Sequence, residues 1–184
     1  MQDFDTQPPV DREVIEAWFE KRVLPLGLRP ADSNEELMWE AAIHAAVKPF
    51  LTNYARALRG LLDQENWRRG HCPVCGGIPD FSFMEKSGGA RWLLCSRCDT
   101  EWLFQRLQCP FCSNEDQNTL AYFTDDRGIY RLYVCDRCNR YIKAIDLRSA
   151  PPDTTLLIER LWTPDLDREA AEKGYRPGWA DEVT

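Results

Sequence analysis

The chain has 184 residues, a formal net charge of -7 and a pI near 5.0, with 43% hydrophobic, 29% charged and 11% aromatic residues. No apolar run approaches the ~18 residues of a membrane span, and the apolar content is too high for a disordered chain; the length suits one compact domain or two small ones, each with a modest core. The opening residues MQDFDTQPPV lack the basic start and apolar core of a secretory signal, so the expected compartment is the reducing cytoplasm, with no membrane insertion.

Residues 1–69 carry no cysteine, and their apolar residues recur at helical spacing, which predicts an N-terminal helical region. One helix is expected over residues 11–24, with Val14, Ile15, Trp18, Phe19 and Val23 on one face, ending at Pro25 and Gly27. A second is expected to start after Ser33, where Ser33 and Glu36 have capping-box spacing. Its stripe of Leu37, Met38, Ala41, Ala42, Ala45 and Ala46 is expected to be buried. Pro49 should kink or end it before Phe50, Leu51, Tyr54, Ala55, Leu58, Leu61 and Leu62 resume the pattern, as a further helix or the far arm of a bent one.

From about residue 70 the pattern changes to short apolar runs broken by Gly, Asp and Asn, and the segment repeats. In the first copy CPVC (72–75) leads to a strand at 81–84, a turn KSGG (86–89) and RWLLCSRC (91–98). In the second, CPFC (109–112) leads to TLAYFT (119–124), a turn DDRG (125–128) and RLYVCDRC (131–138). Each copy has an arginine four residues before the first cysteine of its CxRC corner and an aromatic just after it, Trp102 or Tyr141. A unit of roughly 40 residues rarely folds without a staple. After residue 150, PPD marks a break, and TPDLDREAAEKGYRPG predicts a C-terminal helix with Thr163 as cap, Pro164 first inside and Gly174 past its end. The expected organisation is α+β: a helical region (1–69), two tandem rubredoxin-like zinc ribbons (70–107 and 108–149) and a C-terminal helix and tail (150–184).

All eight cysteines fall in Cys-x-x-Cys pairs: Cys72/Cys75, Cys95/Cys98, Cys109/Cys112 and Cys135/Cys138. In such a corner both sulfurs point one way and backbone amides can donate to the thiolates, and two corners close a tetrahedron. The spacing predicts two metal ions. The pairing is read as sequential, one site from Cys72, Cys75, Cys95 and Cys98 and another from Cys109, Cys112, Cys135 and Cys138, against an interleaved alternative. Four thiolates suit zinc and also a single iron. With a divalent ion each site carries a net -2, which Arg91, Arg97, Arg131 and Arg137 could offset. His71 could supplement a sulfur, but the cysteines already complete the set. The aromatics Trp92, Trp102, Phe104, Phe111, Tyr122, Phe123, Tyr130, Tyr133 and Tyr141 are expected mostly to cover these sites. With two histidines and no nucleophile elbow, phosphate loop or paired acids, the sequence gives no support to an enzyme.

Two other classes use such corners. A nucleic-acid-binding ribbon needs a basic excess, whereas residues 71–150 carry ten acidic and ten basic side chains before any thiolate is counted. A rubredoxin-like redox or dithiol protein would need iron, or an exposed low-pKa cysteine at a helix start, and these corners adjoin strands.

Residues 67–177 resemble the FdhE family, accessory proteins of formate dehydrogenase maturation. The motifs are W-x2-G-x-CPVCGGIP (67–79), RWLLCSRCDTEW (91–102), R-x2-CPFC (106–112), RLYVCDRCNRYIKAID (131–146) and LDREAAEKGYRP (166–177). The resemblance implies a cytoplasmic, non-catalytic factor that acts on the catalytic subunit of a formate dehydrogenase and binds metal, iron or zinc, through the eight cysteines. It also implies a longer helical region before the first corner than is present here, so the N-terminal arm reads as shortened or divergent.

Overall fold

The computed structural model describes residues 12, 13, 15, 16 and 33–178. Arg12, Glu13, Ile15 and Glu16 are helical; the rest of the helix expected over 11–24, and the side chains of the Ser33/Glu36 capping box, lie outside what is described. The chain divides into two compact units, residues 1–50 and 51–184.

Helix α1, Ser33–Leu58, runs through Pro49 as one element. A proline inside a helix removes one backbone donor, and here the helix-favouring sequence on both sides carries the element past that loss. The exposed face is the reverse of the one expected: Met38, Ala41, Ala42, Ala45 and Ala46 are exposed, while Ile43 is buried and Val47 half-buried. Alanine counts as apolar in a pattern yet has little area to hide and is the best helix former at a surface, whereas Ile and Val gain far more from burial. Farther along, Ala55 is buried and Leu51 packs beside it in the core of the second unit, while Tyr54, Leu58 and Leu61 are exposed.

The second unit is built on one sheet. Its strands are β1 (Pro79–Met84), β2 (Arg91–Cys95), β3 (Glu101–Phe104), β4 (Leu120–Thr124), β5 (Tyr130–Cys135), β6 (Arg140–Asp146) and β7 (Arg176–Pro177). The order is β3-β2-β1-β6-β5-β4, with β7 also on β6. Each ribbon is therefore a three-stranded antiparallel meander. The third strands, β3 and β6, were not anticipated. The two meanders join through a parallel pairing of β1 with β6, from Phe81 opposite Lys143 to Met84 opposite Asp146.

Among the described residues, three apolar clusters flank this sheet. Trp102, Leu93, Phe104 and Ile142 pack with Ala55, Cys72, Cys95 and Cys98. Phe81, Phe83, Leu94 and Ile145 form a second cluster with Leu156 against it, and Leu132, Val134, Tyr141 and Ala170 a third. Each fully buried Leu, Ile or Phe contributes roughly 1.5–3 kcal/mol relative to exposure.

Instead of a single C-terminal helix there are two, α2 (Leu156–Leu161) and α3 (Pro164–Glu172). Pro164 begins the second and cannot continue the first, because it has no N–H to donate. Thr163 flanks α3 as expected, but its hydroxyl donates back to the carbonyls of Glu159 (3.0 Å) and Arg160 (3.4 Å) rather than capping α3. Gly174 takes a φ of 84° just past the helix. On α3, Asp167 accepts from Tyr141 Oη and from buried Lys143 Nζ, each at 2.7 Å, tying the helix to β6. On α2, Arg160 reaches Asp99 Oδ1 at 3.0 Å and the carbonyl of Cys95 at 3.4 Å. Leu157, Ile158 and Leu161 on α2, and Trp162 after it, remain exposed.

At the ribbon junction Asp146, 2% exposed, accepts from Arg131 Nη2 at 2.7 Å and Arg148 Nη2 at 2.6 Å. Hydrogen bonds from Arg148 and the charge of Arg131 hold its carboxyl below the usual range, against the opposing effect of burial. A carboxyl depressed in the folded state contributes stability that is complete above its unfolded pKa and is lost as pH falls through the folded value. Asp146→Asn should therefore cost roughly 1.5–3 kcal/mol near pH 7, the size of hydrogen bonds to a charged group. In urea titrations the gap between variant and unsubstituted protein should close below the ordinary carboxylate range.

Candidate metal centre

The four Cys-x-x-Cys corners share one backbone device. The residue after the second cysteine is left-handed in every case: Gly76 (φ 69°), Asp99 (56°), Ser113 (56°) and Asn139 (52°). Glycine adopts this conformation freely, Asn and Asp with local help, and most other residues at a cost. The turn aims backbone donors into its own interior. The amide of Gly76 donates to the carbonyl of Cys72 and that of Ser113 to Cys109, both at 3.0 Å. The amides of Cys72, Cys95 and Cys109 donate to carbonyls five residues on, those of Gly77, Thr100 and Asn114, at 2.7–2.9 Å.

The turns gather the sulfurs into two groups. Cys72, Cys75, Cys95 and Cys98 form one and Cys109, Cys112, Cys135 and Cys138 the other, with all Sγ atoms in each group within 4.8 Å of one another. This is the sequential grouping. In the first quartet Sγ atoms lie 3.5 Å apart for Cys72 and Cys98 and 3.4 Å for Cys75 and Cys95. In the second the pairs Cys109/Cys138 and Cys112/Cys135 are both at 3.7 Å. A disulfide needs ~2.05 Å, whereas a tetrahedron with metal–sulfur arms of ~2.3 Å has edges of about 3.8 Å. The eight thiols are free cysteines, and their spacing fits two tetrahedral ions, one per quartet. Ligand chemistry of this kind serves zinc and iron alike.

Donors converge on the sulfurs. Amides of Val74, Gly77 and Arg97 point at Cys72, Cys75 and Cys95, each at 3.4 Å. Buried Asn114 sends its Nδ2 to Cys135 Sγ at 3.6 Å and to Thr119 Oγ1 at 2.7 Å. The Cys72 thiol is accordingly pulled well down by hydrogen bonds from Cys75, Cys95 and Cys98, while Cys75 and Cys95 are pushed up chiefly by the same contacts with Cys72. In the second quartet burial pushes Cys109 up to about 11; Cys135 is also desolvated, yet amides of Cys138 and Arg137 hold it below the ordinary thiol value.

Glycine serves close approach at several places, Gly178 against the Phe111 ring among them. A side chain at Gly70 would put its Cβ 1.9 Å from the Pro110 carbonyl oxygen, so the segment leading into the first corner lies directly on the CPFC corner of the second ribbon. At Gly77 a Cβ would meet the sulfurs of Cys95 and Cys75 at 3.1 and 3.2 Å. Around Gly70, Trp67 Nε1 donates to the His71 carbonyl at 2.9 Å and Trp102 Nε1 to the Arg69 carbonyl at 2.8 Å, so both tryptophans of the flanking motifs pin this approach. His71 is not part of either quartet and meets Trp67 edge-on at 5.2 Å.

The four arginines expected to balance the sulfurs separate. Arg97 is buried, its Cδ against the same face of Gly77 as the sulfurs, and Arg91 is buried next to the second corner. Arg131 pairs with Asp146 instead, and Arg137 is exposed. Nor do the aromatics act alike. Trp102, Phe104, Phe111 and Tyr133 pack around the first quartet. Trp92 stacks on Phe83 at 6.2 Å, while Tyr130 and Tyr141 donate to Glu159 and Asp167 of the C-terminal helices. Tyr122 is exposed.

Comparison with known proteins places these features in a lineage. Residues 71–106 match the family described as FdhE, central domain, a span that holds the whole first quartet. The chain is 38% identical over 136 residues to the Protein FdhE homolog of Aquifex aeolicus, covering 70% of this chain and 46% of that protein. It is 28% identical over 190 residues to the homolog of Stutzerimonas stutzeri, covering 88% and 62%. The chain thus spans about half the length of these relatives. Its fold is that of the crystal structure of the FdhE protein from Pseudomonas aeruginosa, with a TM-score of 0.63 at 22% identity over 95% of this chain and 80% of the other.

Of the four left-handed corner residues, Ser113 is the one with no glycine freedom and no amide or carboxylate side chain, and it is exposed. Ser113→Gly should relieve roughly 1 kcal/mol of backbone strain, offset in part by the greater freedom of glycine in the unfolded chain. The expected outcome is a small rise in thermal midpoint with unchanged metal content.

Proposed function

The chain belongs to the FdhE family through its central segment, residues 71–106, and from that premise we propose that it is an accessory protein for the maturation or assembly of a formate dehydrogenase. In this reading it is non-catalytic, works in the cytoplasm and binds the catalytic subunit of that enzyme through a double-ribbon scaffold. The same reading divides the chain into an N-terminal region (1–69), two metal ribbons (70–107 and 108–149) and a C-terminal segment (150–184). The observation that carries the reading is that the FdhE-matching segment contains one complete sulfur quartet, set in a sheet that repeats the same arrangement a second time.

The ligands assigned are Cys72, Cys75, Cys95 and Cys98 for one ion and Cys109, Cys112, Cys135 and Cys138 for the other, zinc or iron in each. A four-sulfur site leaves no open position for a substrate, so zinc there contributes to the fold alone, while iron would add one-electron redox capacity. In small ribbons of this kind the binding free energy, on the order of 10–16 kcal/mol for zinc, is also folding free energy. The acidic balance of the chain supports a protein partner rather than a phosphate backbone.

Elemental analysis of protein purified without oxygen should give two ions per chain, falling to one in Cys109→Ser or Cys135→Ser. In cells, deleting the gene should abolish formate-dependent activity, and the unsubstituted chain, but not these two variants, should restore it. Affinity capture should recover a formate dehydrogenase catalytic subunit. Normal formate-dependent activity in the deletion strain would remove the accessory reading.

A further inference from the structure

Arg91 opens β2 of the first ribbon, yet its guanidinium lies against the second. Its Nη1 donates to the carbonyl of Gln108, the residue immediately before Cys109, at 3.2 Å. Its Cζ lies over rings from both ribbons, 4.5 Å from the centroid of Tyr133 on β5 and 5.9 Å from that of Phe104 on β3. Arg91 is 2% exposed, and among the described residues its Nε and Nη2 have no hydrogen-bond partner and no carboxylate oxygen lies within 4.0 Å of it. Its repeat equivalent, Arg131, stands four residues before Cys135 as Arg91 stands before Cys95, and is paired with Asp146.

A buried cation without an anion is strongly unfavourable, and aromatic faces soften that cost without cancelling the charge. The nearby anion is the sulfur quartet. Arg91, Cys109 and Cys135 line one cavity of about 260 Å³ together with Arg106 and Arg140, and no Asp or Glu is among its lining residues. Burial pulls Arg91 down to about 10. Four thiolates around a divalent ion carry a net -2, which answers a buried guanidinium lining the same cavity as Cys109 and Cys135.

We propose that Arg91 is the counter-charge of the second quartet, so that retention of the ion by Cys109, Cys112, Cys135 and Cys138 depends on a side chain supplied by the first ribbon. This rests on the metal assignment made above. Arg91 acts as a positioning residue: it fixes the Gln108 carbonyl at the start of the CPFC corner and supplies positive charge, while making no bond to the ion. The second site is thereby coupled to the sheet junction, since β2 is in place only when the first meander is folded.

The test is site-resolved metal release. Fully metallated chain is mixed with EDTA, sampled over time and alkylated with iodoacetamide, and mass spectrometry reads which cysteines become labelled. Loss of a partner just outside the ligand shell typically costs about 10–100-fold in metal retention. In Arg91→Met, which keeps the apolar stem and removes the charge, labelling of the second quartet should accelerate at least about tenfold while the first quartet keeps its rate. In Arg91→Lys, which keeps the charge without the planar stacking, the second quartet should stay within about threefold of the unsubstituted chain. If Lys accelerates release as much as Met, Arg91 is only a packing element and the proposal is overturned; equal acceleration at both quartets overturns it as well. Should the Met variant fail to fold, Arg91→Gln takes its place against Lys with the same two outcomes. An unsubstituted chain holding fewer than two ions would instead defeat the metal assignment, which the first time point reads before any variant is compared.

Discussion

The ribbons depend on four short turns in which the residue after the second cysteine adopts a left-handed backbone. That single conformation reverses the chain, brings two sulfurs to one side and directs amide N–H groups at them. Residue choice follows from it: Gly76, Asp99, Ser113 and Asn139 are small or locally hydrogen-bonding, and a β-branched residue there would be excluded sterically. Strands β2 and β5 each end on the first cysteine of such a turn, so the corners also set where the meanders stop and where their third strands begin. The sulfur quartets and the sheet are consequences of the same local geometry.

Two similar meanders do not make a symmetric molecule, because β1 pairs in parallel with β6 rather than each ribbon standing alone. The junction gives equivalent residues different tasks. Arg131 neutralises Asp146 within its own ribbon, while Arg91 is carried across to the second corner. The C-terminal segment divides in the same way. Arg160 of α2 holds the first ribbon at Asp99, and Asp167 of α3 holds the second at Lys143 and Tyr141. Tyr175 then donates to Asp136, next to Cys135, at 2.6 Å. The tail motif LDREAAEKGYRP accompanies the cysteine motifs because it supplies side chains that brace the second corner.

Much of this was legible from residue order. The repeat, its hairpins and the grouping of cysteines into corners follow from pattern and spacing, since strand alternation and Cys-x-x-Cys turns are local. The third strands were missed because EWLF and RYIKAID each follow a corner without a turn signal of their own; their identity comes from partners far along the chain. The alanine stripe of α1 is exposed and Ile43 beside it buried, because apolar class does not measure buried area. Nor could sequence distinguish Arg91 from Arg131. Both occupy the same repeat position, and only the parallel junction separates a guanidinium beside a carboxylate from one beside a thiol.

That junction also bears on what the molecule can recognise. Five of the ten basic residues of 71–150 are buried or held by a carboxylate. Arg91 and Arg97 are buried beside corners, Arg131 and Arg148 converge on Asp146, and Lys143 is held by Asp167. A cation with its partner already supplied neutralises no additional phosphate and releases no counterion on contact with nucleic acid. What remains at the surface of the C-terminal segment is different in kind: Leu161 and Trp162 are 73% and 81% exposed. Apolar side chains lose nothing by meeting a protein surface and gain nothing from a phosphate backbone. The commitment of these charges follows from the arrangement of the sheet rather than from any one motif.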